Sequence, residues 1–414
     1  MVHQSPPPPG PLAGLLVADL STVLAGPLCT MLLADLGADV IKVEPPSGDV
    51  TRGWGPPWVG AESEGTRTAA YFLAVNRNKR SLRLDLHHED GRRILARLLE
   101  RADVLVENFR PGALARLGFG DDELRTLNER LVHLAISGYG PDGPDAERAG
   151  YDFVLQAAGG LMSITGAAAD EGGEPTKVGV AISDVATGLF GAIGVLAAVL
   201  ARQRQDPGPA AGQRVDVSIL ESTLGILVNQ AHNAFVTGRS PQRLGNAHPN
   251  IVPYETFAAA DGELALAIGT DAQWRRLCAA LDLASVAEDP RFATNAARVE
   301  HRDELRPILS ARLAAGTVAE WLGVLERADV PCGPINDILA AFGSAQATAR
   351  QMRVPLEHPQ LGAVDQVGLP IKLSATPATI RTPPPVLGEH RDEILEELGF
   401  DPNSILRLRE QGIV

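Results

Sequence analysis

A mixed α/β chain built on a parallel sheet, with a smaller α+β domain, is predicted by three observations. Apolar runs of strand length alternate with amphipathic helical stretches through the first third. Glycine and proline punctuate each change of period. Composition then shifts after about residue 225, and 414 residues suit two or three domains at roughly 150 residues each.

Gly14–Asp19 is the first strand-length run. Pro27 fits the first turn of a helix through Asp35, because its missing N–H would be unpaired there anyway. Gly37 is the expected stop, and Asp39–Val43 the next strand. The cycle repeats as a helix over about 89–101, a strand Asp103–Glu107, a helix over about 121–129 and a strand Leu131–Ile136. Val185–Ala201 is the most apolar stretch, but it contains three glycines and falls short of the roughly 20 apolar residues of a membrane span. A buried core helix is expected there, and no membrane partner. Arg214–Ile219 reads as a strand. Tyr254–Phe257, Leu264–Ile268 and helical stretches near 271–281 and 302–328 make up the smaller domain over 225–330. Pro355–Pro385 is expected to be extended, and a helix forms around Arg391–Leu398. The proline-rich residues 1–10 read as a disordered tail without signal-peptide features.

Composition narrows the function. Apolar residues at 45% and charged residues at 21% are ordinary for a globular protein. With 37 basic against 51 acidic residues the net charge is −14, which argues against nucleic acid as a partner. Cys29, Cys278 and Cys332 lie far apart and show no metal spacing, so reduced thiols in a cytoplasmic protein are expected.

Ligands of parallel α/β sheets gather beyond the carboxyl ends of the strands. Here those ends read Ser21–Gly26, Glu44-Pro45-Pro46, Asn108-Phe109-Arg110-Pro111 and Gly138-Tyr139-Gly140. The Gly138–Gly143 stretch matches GxGxxG, but Pro141 and Pro144 oppose the helix a dinucleotide site requires, so a turn is expected. Asn76-Arg77-Asn78-Lys79-Arg80 reads either as a solvated turn or as a phosphate anchor, to which Arg110 and Arg116 would add. His87-His88 suit a capped loop better than a metal. Asp184 stands before the apolar stretch, where a carboxylate serves as an N-cap and also as a nucleophile on an activated acyl group. Asp152 is a second candidate carboxylate, whereas Asp170, Glu171 and Glu174 read as solvated. The loop Gly245–Asn250 carries one histidine and is a candidate to close over a site.

Together these segments resemble the family III CoA-transferases. The resemblance is carried by Asp19-Leu20-Ser21 with Leu24–Pro27, by Gly37–Glu44, by Asn78–Ser81 with Leu84-Asp85-Leu86, by Ala102–Gly112, by Gly179–Asp184 and by Leu387–His390. It implies an aspartate nucleophile at Asp184 and coenzyme A, a substrate rather than a tightly bound cofactor, at Val23, Ala25, Leu84, Asn108, Phe109, Ala113 and Arg116. Tyr151 and Asp152 belong to the same implied site. Pro45 stands where some members place a phosphate-binding arginine, so Lys42, Lys79, Arg80 or Arg110 is expected to compensate. The resemblance also implies a Rossmann-like large domain from residues 11–220 and 335–414, and a homodimer interlocked like chain links. The implied activity is transfer of CoA from an acyl-CoA to a carboxylic acid. Two alternatives stand beside it: α-methylacyl-CoA racemisation and a catalytically silent CoA-binding protein. Racemases of this superfamily carry Gly-His-Asp where this chain has Gly150-Tyr151-Asp152, and tyrosine with an ordinary pKa near 10 is a poor base at neutral pH.

Overall fold

Six parallel strands form the central sheet: β1 (Leu16–Asp19), β2 (Asp39–Glu44), β3 (Lys79–Arg83), β4 (Val104–Glu107), β5 (Val132–Ser137) and β6 (Arg214–Ser218). The computed structural model describes residues 10–61, 66–170, 172–204 and 211–414. The expected tail up to Pro9, Glu171 and the centre of the Pro/Gly loop at 205–210 therefore lie outside the described residues. The strand order is β3-β2-β1-β4-β5-β6. This is the doubly wound nucleotide-fold order, whose switch point falls between β1 and β4.

Both faces of a parallel sheet must be covered, and each strand contributes apolar side chains to both. Helices α1 (Ala25–Asp35), α2 (Glu89–Leu99), α3 (Asp152–Ala158), α4 (Ile182–Gln203) and α5 (Ile219–Gly225) belong to this unit. On one face Val17, Val40, Val104 and Leu134 pack with Cys29 and Leu33 of α1 and Val195 and Val199 of α4. On the other, Ala18, Ile41, Leu82 and Leu105 meet Ile94, Leu95 and Leu98 of α2. Ile394, Leu395, Ile405 and Leu408 join that second face, so the end of the chain completes the core begun at its start.

Residues 161–178 and 232–344 cluster as a separate unit. In it, β7 (Tyr254–Ala258), β8 (Glu263–Ala267) and β9 (Cys332–Pro334) form an antiparallel sheet. This sheet packs against α6 (Asp271–Ala280), α7 (Arg302–Leu313) and α8 (Val318–Arg327) around the buried Trp274. The helix expected over 302–328 is thus two, because Thr317 and Glu320 form a capping box that starts a new helix. The C-terminal helix is also followed by another: α9 (Arg391–Glu397) precedes α10 (Pro402–Glu410), which is capped by Asp401. The extended segment after Met352 contains two short antiparallel pairs, 353–354 with 366–367 and 357–358 with 362–363.

Two expectations change in physical meaning. Helix α4 is long and apolar enough to cross a membrane, yet its Ala192, Val195 and Val199 cover the sheet. Only one side of it is core, because Leu189, Phe190 and Ile193 are exposed on the single chain. The basic cluster at 76–80 is neither a solvated turn nor a phosphate anchor. Lys79 is fully buried and donates to Asp19 (3.0 Å), to the Pro27 carbonyl (2.9 Å) and to Asn76 (2.9 Å). Arg80 is tied to Asp39, Glu393 and Glu397. Arg77 and Asn78 are held by Asp35.

Asp19, at the end of β1, also accepts from Thr30 (2.7 Å) and from the Ser21 amide (3.0 Å). Burial alone would raise its carboxyl, but the charges of Lys79 and Lys42 and the two hydroxyls outweigh it and hold the value at about 2. Removing one partner of a buried pair leaves the other charge stranded. Lys79→Ala is therefore expected to cost ~3–5 kcal/mol of stability in urea denaturation. Glu393→Ala, at an exposed partner of Arg80, is expected to cost under ~1 kcal/mol; equal losses would show that the buried cluster is not the stronger element.

Candidate active site

The loops after β1 and β4 flank the sheet's switch point and are tied together there. Asn108 accepts from the Thr22 amide (2.9 Å) and donates to the Thr22 carbonyl (2.7 Å), so one side chain continues the β1–β4 ladder past the strand ends. From below, buried Lys42 donates to the Ser21 carbonyl (2.9 Å) and pairs with Asp49 (3.0 Å). The chain then turns through Val23 at φ +72°, an uncommon conformation for a β-branched residue. At Gly26 a Cβ would lie 2.2 Å from Ser21 Cβ, so only glycine lets the loop fold back onto itself.

Helix α1 begins directly after this loop. Leu24 provides no side-chain cap, and the amides of Leu24, Ala25 and Gly26 donate to no group among the described residues. Helix α4 lies against it. A Cβ on Gly188 would come within 2.7 Å of the Ala25 carbonyl oxygen, which brings the two backbones into contact. Asp184 is one helical turn before Gly188 on the same face of α4, and so stands beside the open start of α1.

Asp184 is not the cap of α4. Ala181 occupies that position and has no capping side chain, which makes Asp184 the third helical residue. Asp152 does the capping: its Oδ1 accepts from the Ser183 amide at 2.8 Å and the Asp184 amide at 3.4 Å, while its Oδ2 accepts from Gln156 at 2.7 Å. The Asp184 carboxylate consequently accepts no hydrogen bond among the described residues, although it is only 7% exposed. Its pKa is pushed up to about 7, first by burial and then by the charge of Asp152. The Tyr71 phenol, edge-on to Trp54, lies in the field of both carboxylates. Burial, followed by the charges of Asp184, Asp152 and Asp49, pushes it up to about 12, so it stays protonated at neutral pH.

Asp184 lines a cavity of about 220 Å³ together with Val23, Ala25, Asn108, Phe109, Arg110, Arg148 and Tyr151. A second cavity of about 540 Å³ is mostly apolar and includes Leu84, Phe109, Ala113 and Arg116, with Pro45 and Pro46 in its wall. Thr22 and Phe109 border both. The candidate residues thus gather on two adjoining cavities, except for Asp152, which caps α4 and is not in the lining of either, and for three cations. Lys42, Lys79 and Arg80 are engaged inside the fold as described, which leaves Arg110, Arg116 and Arg148 as the cations at the cavity walls. The Gly138 stretch is structural: a Cβ there would sit 2.7 Å from Gly150 Cα, so its glycine serves the contact of two backbones. His88 caps α2, accepting from the Asp90 amide at 3.1 Å. Gly245–Asn250 belongs to the smaller unit. Two features escaped sequence reasoning. Tyr71 lies in the apolar turn Ala70–Leu73 with no motif around it, and the capping role of Asp152 acts across 31 residues.

A family model described as "CoA-transferase family III" matches residues 12–391. The chain belongs to CoA-transferase family III. This transferase is 44% identical over 389 residues to the succinate–glutarate CoA-transferase of Agrobacterium fabrum, covering 94% of this chain and 96% of that one. It is 39% identical to the succinyl-CoA:glutarate CoA-transferase of Mus musculus, over 98% of this chain and 90% of that one. A solved CaiB/BaiF family protein from Brucella suis superimposes with a TM-score of 0.82 at 42% identity, covering 94% of this chain and 100% of that one.

An aspartate held above its usual range weakens the fold once it ionises. The penalty is absent below the ordinary value of 3.8 and complete as pH passes about 7. Asp184→Asn removes it while leaving the Asp152 cap in place. The variant is expected to match the parent in urea stability near pH 4 and exceed it by roughly 2–4 kcal/mol above pH 7. An offset independent of pH would show that the transferase's Asp184 is not strained by burial.

Proposed function

We propose that this CoA-transferase exchanges CoA between dicarboxylic acids, with Asp184 as the nucleophile. The reading is carried by the state of that side chain: buried, without a hydrogen bond among the described residues and facing a cavity beside a helix start that has no side-chain cap among them. The acid class follows the names of the relatives, which act on succinate and glutarate. Arg110 and Arg148 line the same cavity and favour an acid with a second carboxylate.

In the proposed sequence the adenine end of the acyl-CoA occupies the apolar cavity and the pantetheine passes Thr22 and Phe109 toward Asp184. An Asp184 oxygen attacks the thioester carbonyl, the C–S bond breaks, and an acyl–aspartyl anhydride and CoA thiolate result. The thiolate attacks the Asp184 carbonyl carbon, the anhydride C–O bond breaks, and the first acid leaves as its carboxylate. The acceptor carboxylate attacks the aspartyl–CoA thioester and releases thiolate. Attack of this thiolate on the acceptor acyl carbon restores Asp184 and yields the new acyl-CoA. Each tetrahedral oxyanion is met by the free amides of Leu24, Ala25 and Gly26. Tyr71 supplies a further O–H donor near the two carboxylates.

Mass spectrometry after incubation with succinyl-CoA and no acceptor is expected to show CoA joined to Asp184 with loss of succinate. Asp184→Asn is expected to fold and to lose exchange by at least ~10³-fold. In the parent, kcat/KM is expected to rise with pH and level off above about 7 as Asp184 ionises. An active Asp184→Asn enzyme would remove the nucleophile from the mechanism, and α-proton exchange of a 2-methylacyl-CoA in deuterated water without an acceptor would favour racemisation.

A second copy of the chain is proposed to cover the open side of α4. The support is the set of large apolar side chains left exposed on one chain, Phe190 and Ile193 on α4 and Phe235 and Val236 on the helix Val228–Thr237. Light scattering is expected to give a dimer that dissociates in Ile193→Glu; a monomeric parent at micromolar concentration would overturn the interlocked arrangement.

A further inference from the structure

Behind the loop that carries Phe109 lies a buried acid–imidazole pair. Glu107, the last residue of β4, and His133 on β5 are diagonal neighbours on one face of the sheet, since His133 pairs opposite Leu105. Both are more than nine-tenths buried. Glu107 Oε2 accepts the Phe109 amide at 2.6 Å, and Oε1 stands 3.5 Å from His133 Nε2, which makes no hydrogen bond. On the ring's other side, His133 Nδ1 lies 3.7 Å from Asp121 Oδ1.

The charges around the imidazole are unbalanced. Arg214, opposite His133 on β6, donates to Asp121 (2.9 Å) and to Asp216 (2.9 Å), and so already serves two carboxylates. These groups share a cavity of about 330 Å³ with Glu107, His133, Phe109 and Arg110. Three acids face one arginine around the ring, with Arg110 the other cation lining that cavity. A protonated His133 draws Glu107 and Asp121 onto its two nitrogens; a neutral ring holds at most one of them by a hydrogen bond.

Phe109 borders all three cavities, including both of those assigned above to acyl-CoA. We propose that Glu107 and His133 are positioning residues for the CoA substrate. The His133 ring backs Glu107, Glu107 pins the Phe109 amide, and the wall shared by the two cavities is held in its binding position. Without the ring Glu107 is released, so affinity for CoA falls without any step at Asp184. The inference rests on the reading that CoA occupies those cavities.

The test is calorimetric titration of the full-length protein with free CoA at neutral pH, for the parent, His133→Gln and Glu107→Gln. His133→Gln is expected to bind free CoA roughly five- to tenfold more weakly than the parent. Glu107→Gln is expected to raise the KM for acyl-CoA about tenfold with kcat within about twofold, since a charge-assisted bond to Phe109 becomes neutral. CoA binding as tight in His133→Gln as in the parent, or a Glu107→Gln loss confined to kcat, would overturn this inference. Absence of CoA binding to the parent would instead overturn the reading beneath it.

Discussion

The site depends on one capping interaction supplied from outside the helix it caps. A helix start exposes amides that an acidic residue in its own first turn would ordinarily satisfy. In α4 those amides go to Asp152, from the first turn of α3. Asp184 is therefore buried near the positive end of a helix and yet its carboxylate has no hydrogen bond among the described residues to lower its basicity. A carboxylate tied to two or three amides would be a weak nucleophile with a low pKa. The same residue that removes those partners also adds a negative charge close by, and both effects act in the direction of reactivity.

The surroundings are correspondingly rigid. Asn108 joins the two switch-point loops through the Thr22 backbone, and Lys42 holds Ser21 from within the core. Val23 keeps an unfavourable φ between these anchors, as strained residues at functional sites do when their neighbours over-determine them. The buried ions Asp19, Lys79, Lys42 and Asp49 are thus part of the site's construction without lining its cavities. The basic residues nearest the strand ends hold the fold together, and Arg110, Arg116 and Arg148 further along the chain remain exposed.

Much of this was legible in the residues and some was not. Strands β1, β2, β4 and β5 follow from apolar runs bounded by glycine and proline, and their carboxyl ends located the site. Strand β3 was hidden because its Lys79 and Arg80 read as surface charges; their partners Asp19, Asp39 and Glu397 are 41 to 317 residues away. Local periodicity cannot report an ion pair of that separation. For the same reason the residues around Asp184 suit a cap as well as a nucleophile, since no local pattern reveals that Asp152 takes the amides. The smaller unit was read correctly in its strands Tyr254–Ala258 and Glu263–Ala267, while the break between α7 and α8 needed the capping-box geometry at Thr317.

Under the proposed mechanism the arrangement also explains why the nucleophile would sit on a helix rather than a loop. Anhydride exchange would require the same carboxylate to meet a thioester, a thiolate and a free acid in turn, so its position would have to survive large changes in what it is bonded to. Gly188 lets α4 press its backbone against Ala25, which fixes Asp184 relative to the amides at the start of α1. The proposed nucleophile and oxyanion donors then belong to two helices in direct contact, and their spacing is set by packing that the proposed covalent steps would leave untouched. Were either side of that contact to carry a larger residue, the proposed donors would move away from the carbonyl they would polarise while Asp184 remained just as basic.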